Sequence, residues 1–229
     1  MNHMRILHSL ACLFALLVLA AQANTEKAVF TAPPPTAFTE ASLDHLSLHT
    51  FSPHRLSRRL SLPVAFPDEA RPRGLDSWYT LERLTQGQRY EVRICWAAIQ
   101  PTTFNIDTFT ITHVFDTPDL IASLAEYSDR HIKEQGVGTG VVSRPPSAED
   151  SVLFLRVQGA ADYFTTNETL MQHPPPVIVD IILDPYLGNI FPASLVPTAF
   201  YLVALAAGGW YLSGIIWRHL VPPAKAHVD

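Results

Sequence analysis

The stretch from Thr198 to Trp217, TAFYLVALAAGGWYLSGIIW, contains no charged residue and no proline. Coiled as an α-helix at about 1.5 Å per residue, a run of about 20 residues spans roughly 30 Å, the thickness of a bilayer's hydrocarbon core. A helix of that length on a soluble core carries a polar face. Here the polar side chains are Thr198, Ser213 and the tyrosine hydroxyls. The run therefore reads as a transmembrane helix over 198–217, and the rest of the chain must be arranged around one membrane crossing.

The flanks orient it. Pro192 and Pro197 precede the run, where a missing N–H costs nothing. No Lys or Arg occurs from Gln158 to Thr198, whereas Arg218, His219 and Lys225 follow the run. Basic residues resist translocation, so the tail over 218–229 is expected in the cytosol and the long N-terminal part in the lumen or outside. Phe200, Tyr201 and Trp217 suit the two interfacial belts. Gly208, Gly209 and Gly214 offer small surfaces on which a partner helix can pack. A lipid-anchor signal is the rival reading. It needs a polar spacer before the apolar tail, but Leu187-Gly188-Asn189-Ile190-Phe191 is apolar, and the chain runs on through RHLVPPAKAHVD.

Residues 1–23 read as a secretory signal peptide, with Arg5 before an apolar core from Leu10 to Ala21. Ala21-Gln22-Ala23 is a small-x-small cleavage pattern, placing the cut between Ala23 and Asn24. The product is a type I single-pass membrane protein. Cys12 leaves with the signal, so Cys95 has no partner for an intramolecular disulfide. The exported part, about Asn24 to Phe191, is long enough to bury a core without one. A domain without disulfides fits a protected endomembrane compartment better than the cell surface. A cysteine in an apolar strand is most simply a small buried hydrophobe.

Residues 24–40, with Pro33-Pro34-Pro35, read as a proline-rich leader, and 41–191 as the lumenal domain. Leu43, Leu46, Leu48 and Phe51 alternate imperfectly. Leu60, Leu62, Val64 and Phe66 alternate with period two, and Pro63 among them marks a sheet edge or bulge. Trp78 to Leu81 reads as a strand and Thr85-Gln86-Gly87-Gln88 as a turn. Tyr90, Val92, Ile94 and Trp96 then alternate with Glu91, Arg93 and Cys95, the pattern of a half-buried strand. In TFNIDTFTITHVF the apolar phase flips between Asp107 and Thr108, as an inserted residue would cause. Strands over 90–98 and 103–115 are expected to be antiparallel neighbours. Residues 118–135 show helical spacing at Leu120, Leu124, Tyr127 and His131, with Asp119 as N-cap, and GVGTG after them reads as a connector. Residues 152–155 and 177–185 are nearly continuous apolar runs, as central strands are. The fold class is mainly β: an antiparallel β-sandwich-like domain with one short helix.

Motifs for chemistry are sparse. Asn167-Glu168-Thr169 is a glycosylation sequon in a turn-rich loop. His45 and His49 share a face, but no third ligand, Cys-x-x-Cys or HExxH accompanies them, so no metal site is assigned. His54, His113, His131 and His173 add no spacing of that kind. GVGTG lacks the lysine and hydroxyl of a phosphate loop, and no serine sits in a nucleophile elbow. Cys95 has only Arg93 nearby to activate it. Asp180, in an apolar strand, is expected to pair with a buried arginine such as Arg156 or to cap a loop. His54, Arg55, Arg58 and Arg59 form a basic cluster with no aromatic interleaving, and the chain has a net charge of −5. Nucleic-acid binding is unsupported, and no catalytic residue or cofactor is assigned.

Two readings follow. The first is a non-catalytic accessory or adaptor subunit of an endoplasmic reticulum membrane complex, in glycan or lipid-anchor assembly or in membrane-protein biogenesis. Its partners are the bilayer and another membrane protein, met through the exported domain or the membrane helix. The general layout is similar to that of the lumenal accessory subunit of the lipid-anchor mannosyltransferase. No motif of that subunit maps onto these residues, and layout alone assigns no family. The alternative is a glycan- or lipid-binding domain or enzyme of the secretory pathway, using Trp78, Tyr79 and Trp96 beside carboxylates. Its competitor is the plain reading that Trp96 faces the core with Tyr90, Val92 and Ile94. The tail AKAHVD carries no retrieval signal, and an apolar run of about 20 residues suits the thinner bilayer of the early secretory pathway.

Overall fold

The computed structural model describes residues 24–35, 46, 48–135 and 151–220. The expected signal peptide, His45, the GVGTG connector and the tail beyond Leu220 lie outside the described residues. The described chain is mainly β and ends in one long apolar helix.

Its strands form two sheets. The first has the order β1 (Asn24–Thr31), β5 (Arg89–Trp96), β8 (Val177–Leu187), β3 (Ser57–Leu62), with β9 (Phe191–Pro192) folded back on β8. Every pairing in it is antiparallel. The second has the order β2 (His49–Phe51), β4 (Leu75–Leu84), β7 (Ser151–Ala161), β6 (Thr102–Thr110). Here β2 runs parallel to β4, so the fold is not purely antiparallel. Inward-facing residues of both sheets share one apolar cluster, with Tyr79, Leu81, Leu155 and Val157 from the second and Tyr90, Val92, Ile94, Val179, Ile181 and Leu183 from the first. Each such buried side chain contributes roughly 1.5–3 kcal/mol by leaving water. The continuous apolar runs of β7 and β8 take central places in their sheets, but only β7 is covered on its second face, by helices, while Ile178 on the outer face of β8 stays exposed.

The outer face of the second sheet is closed by helices. Chain after β6 turns into α1 (Ile111–Asp116) and α2 (Pro118–Gln135). Ile111, Val114, Leu120, Leu124 and Tyr127 pack on Trp78 and Phe154 in a second apolar cluster. Trp78 Nε1 donates to Ser123 Oγ at 2.9 Å, Ser123 donates to Asp76, and Gln158 Nε2 donates to Asp76 at 2.8 Å. A polar bracket thus fixes α2 to β4 and β7.

Several expectations are corrected. The segment read as a leader contains β1, which pairs with β5 from Asn24↔Trp96 to Thr31↔Arg89. Strands β5 and β6 are not neighbours, because both edges of β5 are taken by β1 and β8, and the chain crosses to the second sheet after Trp96. The phase flip near Asp107 is not a bulge. Register between β6 and β7 is continuous from Thr102 to Thr110, and the helical phase begins at Ile111, where Thr110 Oγ1 accepts from His113 N. The register shift falls instead in β4 between Leu81 and Leu84, where Arg83 takes a φ of 56°. Helix is more abundant than one short segment: α1, α2 and α3 (Glu168–Gln172) all belong to the domain. Pro118 is itself the first helical residue, so Asp119 stands in the first turn rather than at the cap.

Candidate functional site

Helix α4 (Val196–Leu220) is 25 residues long, is apolar around its whole circumference and has no buried residue. A helix without a polar face or a protein partner is a membrane span by composition, and the stretch Ala193–Leu220 meets that test. Gly208, Gly209 and Gly214 lie on it with nothing within 4 Å of a Cβ added at any of them.

The span is seated on the first sheet through a buried polar cluster. Alternation along β5 turns Tyr90, Val92 and Ile94 inward and Glu91, Arg93 and Cys95 outward. On β8 the same alternation turns Asp184 outward beside them. Asp184 is 2% exposed, and its carboxylate accepts from Ser194 N at 3.1 Å and from Ser194 Oγ. Ser194 belongs to the single 3₁₀ turn, Ala193–Leu195, that leads into α4. Arg93 Nη2 lies 3.5 Å from Asp184 and donates to Ser194 Oγ at 3.2 Å, while Arg93 Nε lies 3.7 Å from Glu91. Glu91, 3% exposed, also faces Lys27 Nζ at 3.5 Å and accepts from Tyr186 OH at 3.3 Å. Buried charge is tolerated only when paired and hydrogen-bonded, and each member here has a partner of opposite sign.

A second clip lies beside the first. The β4–β5 turn holds the β8–β9 turn: Arg89 N donates to Asn189 Oδ1 at 2.8 Å, and Asn189 Nδ2 donates to Gly87 O at 2.9 Å. Gly188 and Asn189 take left-handed φ values of 58° and 60°, which tighten this turn. Its apolar residues Leu187 and Ile190 are 52% and 84% exposed, just ahead of the span.

Other expected residues separate from this seat. Asn167 is exposed and caps α3, accepting from Thr169 N at 3.0 Å and Leu170 N at 3.4 Å. Asp180 pairs not with Arg156 but with Arg59, its register partner on the edge strand β3, at 2.8 Å. That pair holds the Asp180 carboxyl below its usual range through the Arg59 hydrogen bonds. Arg156 pairs with Asp107 at 2.8 Å and lies over the Phe109 ring at 5.1 Å. Cys95 is outside the core, half-buried on the outer face, where Thr25 Oγ1 donates to Sγ at 3.7 Å. His49 meets His131 edge-on at 5.1 Å between ring centroids. Among the described residues no group of three His, Cys, Asp or Glu side chains could hold a metal. The aromatic platform proposed for sugars is not present. Trp78 and Tyr79 are 0% and 1% exposed, and Trp96 packs edge-on against Phe104 at 4.8 Å.

The domain thus offers an apolar span and a hydrogen-bonded seat for it. Residues 14–127 match the family model Pga1, GPI-mannosyltransferase II co-activator. The match covers β1 to β6, α1 and most of α2. It fits a non-catalytic accessory subunit of a membrane complex in lipid-anchor assembly. No curated protein and no solved structure matches the chain. The sequence reading missed the Glu91–Arg93–Asp184–Ser194 cluster. Its signal was available: outward charges at every second position of β5, and a lone Asp184 at the end of an apolar strand.

Proposed function

We propose that this chain is a type I single-pass protein of the endoplasmic reticulum membrane and a non-catalytic subunit that supports a mannosyltransferase in lipid-anchor assembly. The observation that carries the reading is the Pga1 match over residues 14–127. The apolar helix, bare of contacts with its own domain, supports it. In this reading the two sheets form a lumenal sandwich around their common core, and α4 crosses the bilayer with Arg218 on the cytosolic side. Signal cleavage after Ala23 would leave Asn24, the first residue of β1, as the new terminus. Gly208, Gly209 and Gly214 would let a helix of the transferase approach closely. Asn167, exposed in its loop, would carry the glycan. Leu187 and Ile190 would rest at the membrane interface, since they directly precede the span.

Affinity purification from digitonin-solubilised membranes tests the reading. It expects one multispanning mannosyltransferase in near-equal amount, and a fall in mannose transfer to the anchor precursor when the chain is depleted. Recovery of the chain alone, with transfer unchanged on depletion, would overturn it. Glycosidase treatment should increase the electrophoretic mobility of the native chain but not of Asn167→Gln.

A further inference from the structure

A cavity of about 250 Å³ opens where the edge strands of the two sheets leave the core uncovered. Its walls are the end of β3 with Pro63, His49 of β2, Ser77 and Tyr79 of β4, and the last turns of α2. The lining is mostly polar and contains no carboxylate among the described residues. Arg130 and His131 line it from α2, and Ser77 brings a buried hydroxyl from β4. Arg58 lies on the inward side of β3, half-buried and close enough to His49 and Tyr79 to act on both electrostatically.

Among the described residues the exposed Arg55, Arg73 and Arg89 make no ion pair, as solvent allows. Arg59, Arg71, Arg93 and Arg156 each face a carboxylate within ion-pair distance. Arg58 and Arg130 make no ion pair among the described residues. Both are half-buried, which raises the cost of leaving a guanidinium without a counter-ion. Burial, Arg58 and His131 together push the His49 imidazole down to about 4, so it stays neutral at neutral pH. His131 is itself held in place, stacked on Tyr127 at 5.5 Å between centroids, so the wall is preformed.

We propose that this cavity binds a phosphate ester, with Arg130 on its wall and Arg58 beside it as the charged donors and Ser77 as a hydroxyl partner. Guanidinium groups suit phosphate oxygens by charge and by their planar fork. The volume is below that of typical ligand pockets of about 300–1,000 Å³, so it takes a phosphoryl group and part of its alcohol rather than a whole glycolipid. The site does not depend on the accessory-subunit reading, since it rests on the lumenal domain alone.

Inorganic phosphate is the probe, and full-length chain in neutral detergent is the sample. Phosphate at about 100 times its Kd should raise Tm by roughly 5–10 °C over chloride of equal ionic strength. The Arg58→Gln/Arg130→Gln double variant should lose that shift. Equal Tm in phosphate and chloride, or an undiminished shift in the double variant, would overturn the site. Should the double variant fail to fold, Arg130→Gln alone is decisive: a shift at least halved supports the site, and a full shift refutes it. Reconstitution in nanodiscs separates the sources of the phosphate. If phosphatidylinositol discs raise Tm and blunt the effect of added phosphate, relative to phosphatidylcholine discs, the ligand is a lipid headgroup. If added phosphate acts equally in both, it is a soluble ester.

Discussion

Removing the Asp184 carboxylate tests whether the seat couples the span to the β domain. In Asp184→Ala, Ser194 loses the acceptor of its N–H and hydroxyl, and Arg93 loses the carboxylate 3.5 Å away. Breaking a buried ion pair from one side costs about 3–5 kcal/mol, because the other charge is left without compensation. Arg93 retains Glu91 at 3.7 Å, which places the loss at the low end, about 3 kcal/mol. For a chain of this size each kcal/mol is worth roughly 2–4 °C, so Tm should fall by roughly 6–12 °C. The control is Asp180→Ala. Its partner Arg59 is 73% exposed, so solvent screens the pair and its loss should barely move Tm. Thermal unfolding of the full-length chain in detergent, followed by circular dichroism, reads both variants. Equal shifts for the two would refute the argument that burial of the seat, rather than charge pairing as such, holds the junction.

Gly74 has a left-handed φ of 78°, and a Cβ there would lie 2.0 Å from Gly159 O, so Gly74→Ala should cost more than about 3 kcal/mol and deplete folded protein. Gly87→Ala, at a φ of 74° with nothing within 4 Å, should cost only about 1 kcal/mol, and a comparison of their urea midpoints checks the difference. His49 gives a pH dependence whose sign follows from its lowered pKa of about 4 against 6.5 in the unfolded chain. Its contribution is complete above pH 6.5 and is lost as pH falls towards 4, because the unfolded chain binds the proton first. Solvent screening at a half-buried ring limits the loss to roughly 1–2 kcal/mol, and His49→Asn should flatten that part of the stability–pH curve. Gly208→Leu and Gly209→Leu should leave Tm unchanged, since neither position meets any atom of the chain. They should lower recovery of the partner in the digitonin eluate.

What the sequence made legible was whatever a short window records. The membrane run, the alternation of β5 and the continuous apolar strands β7 and β8 are local patterns, and each lies where its pattern implies. The helical spacing of Leu120, Leu124 and Tyr127 likewise proves to be the buried stripe of α2. Pairing was not legible, because nothing in β5 or β6 states which edge is free. Adjacency in sequence suggests one sheet for β5 and β6, whereas β1, from a segment with the composition of a linker, occupies the edge of β5. The ion pairs failed for the same reason. Arg59 and Asp180 are register partners across 121 residues, and only the β3–β8 pairing brings them together. The cavity at His49 was out of reach as well, since its walls come from three strands and a helix that share no sequence window.

The asymmetry of the domain bears on how an accessory subunit could act. One sheet is covered by α1 and α2, so its outer face is spent on the fold. The other keeps its outer face largely for Lys27, Glu91, Arg93, Cys95 and Asp184, and it is this face that carries the junction to the span. Only residues 188–195 separate the end of β8 from α4, and they are occupied by a clipped turn, the short β9 and a 3₁₀ turn. A connection so short and so fully hydrogen-bonded leaves little freedom between domain and helix, unlike a flexible linker whose ends wander with the square root of its length. A partner that grips α4 in the bilayer therefore receives the β domain in a defined pose. If positioning is the mechanism, a flexible Gly/Ser insertion between Leu195 and Val196 should leave co-purification intact and abolish support of mannose transfer. Retention of both would show that tethering alone suffices.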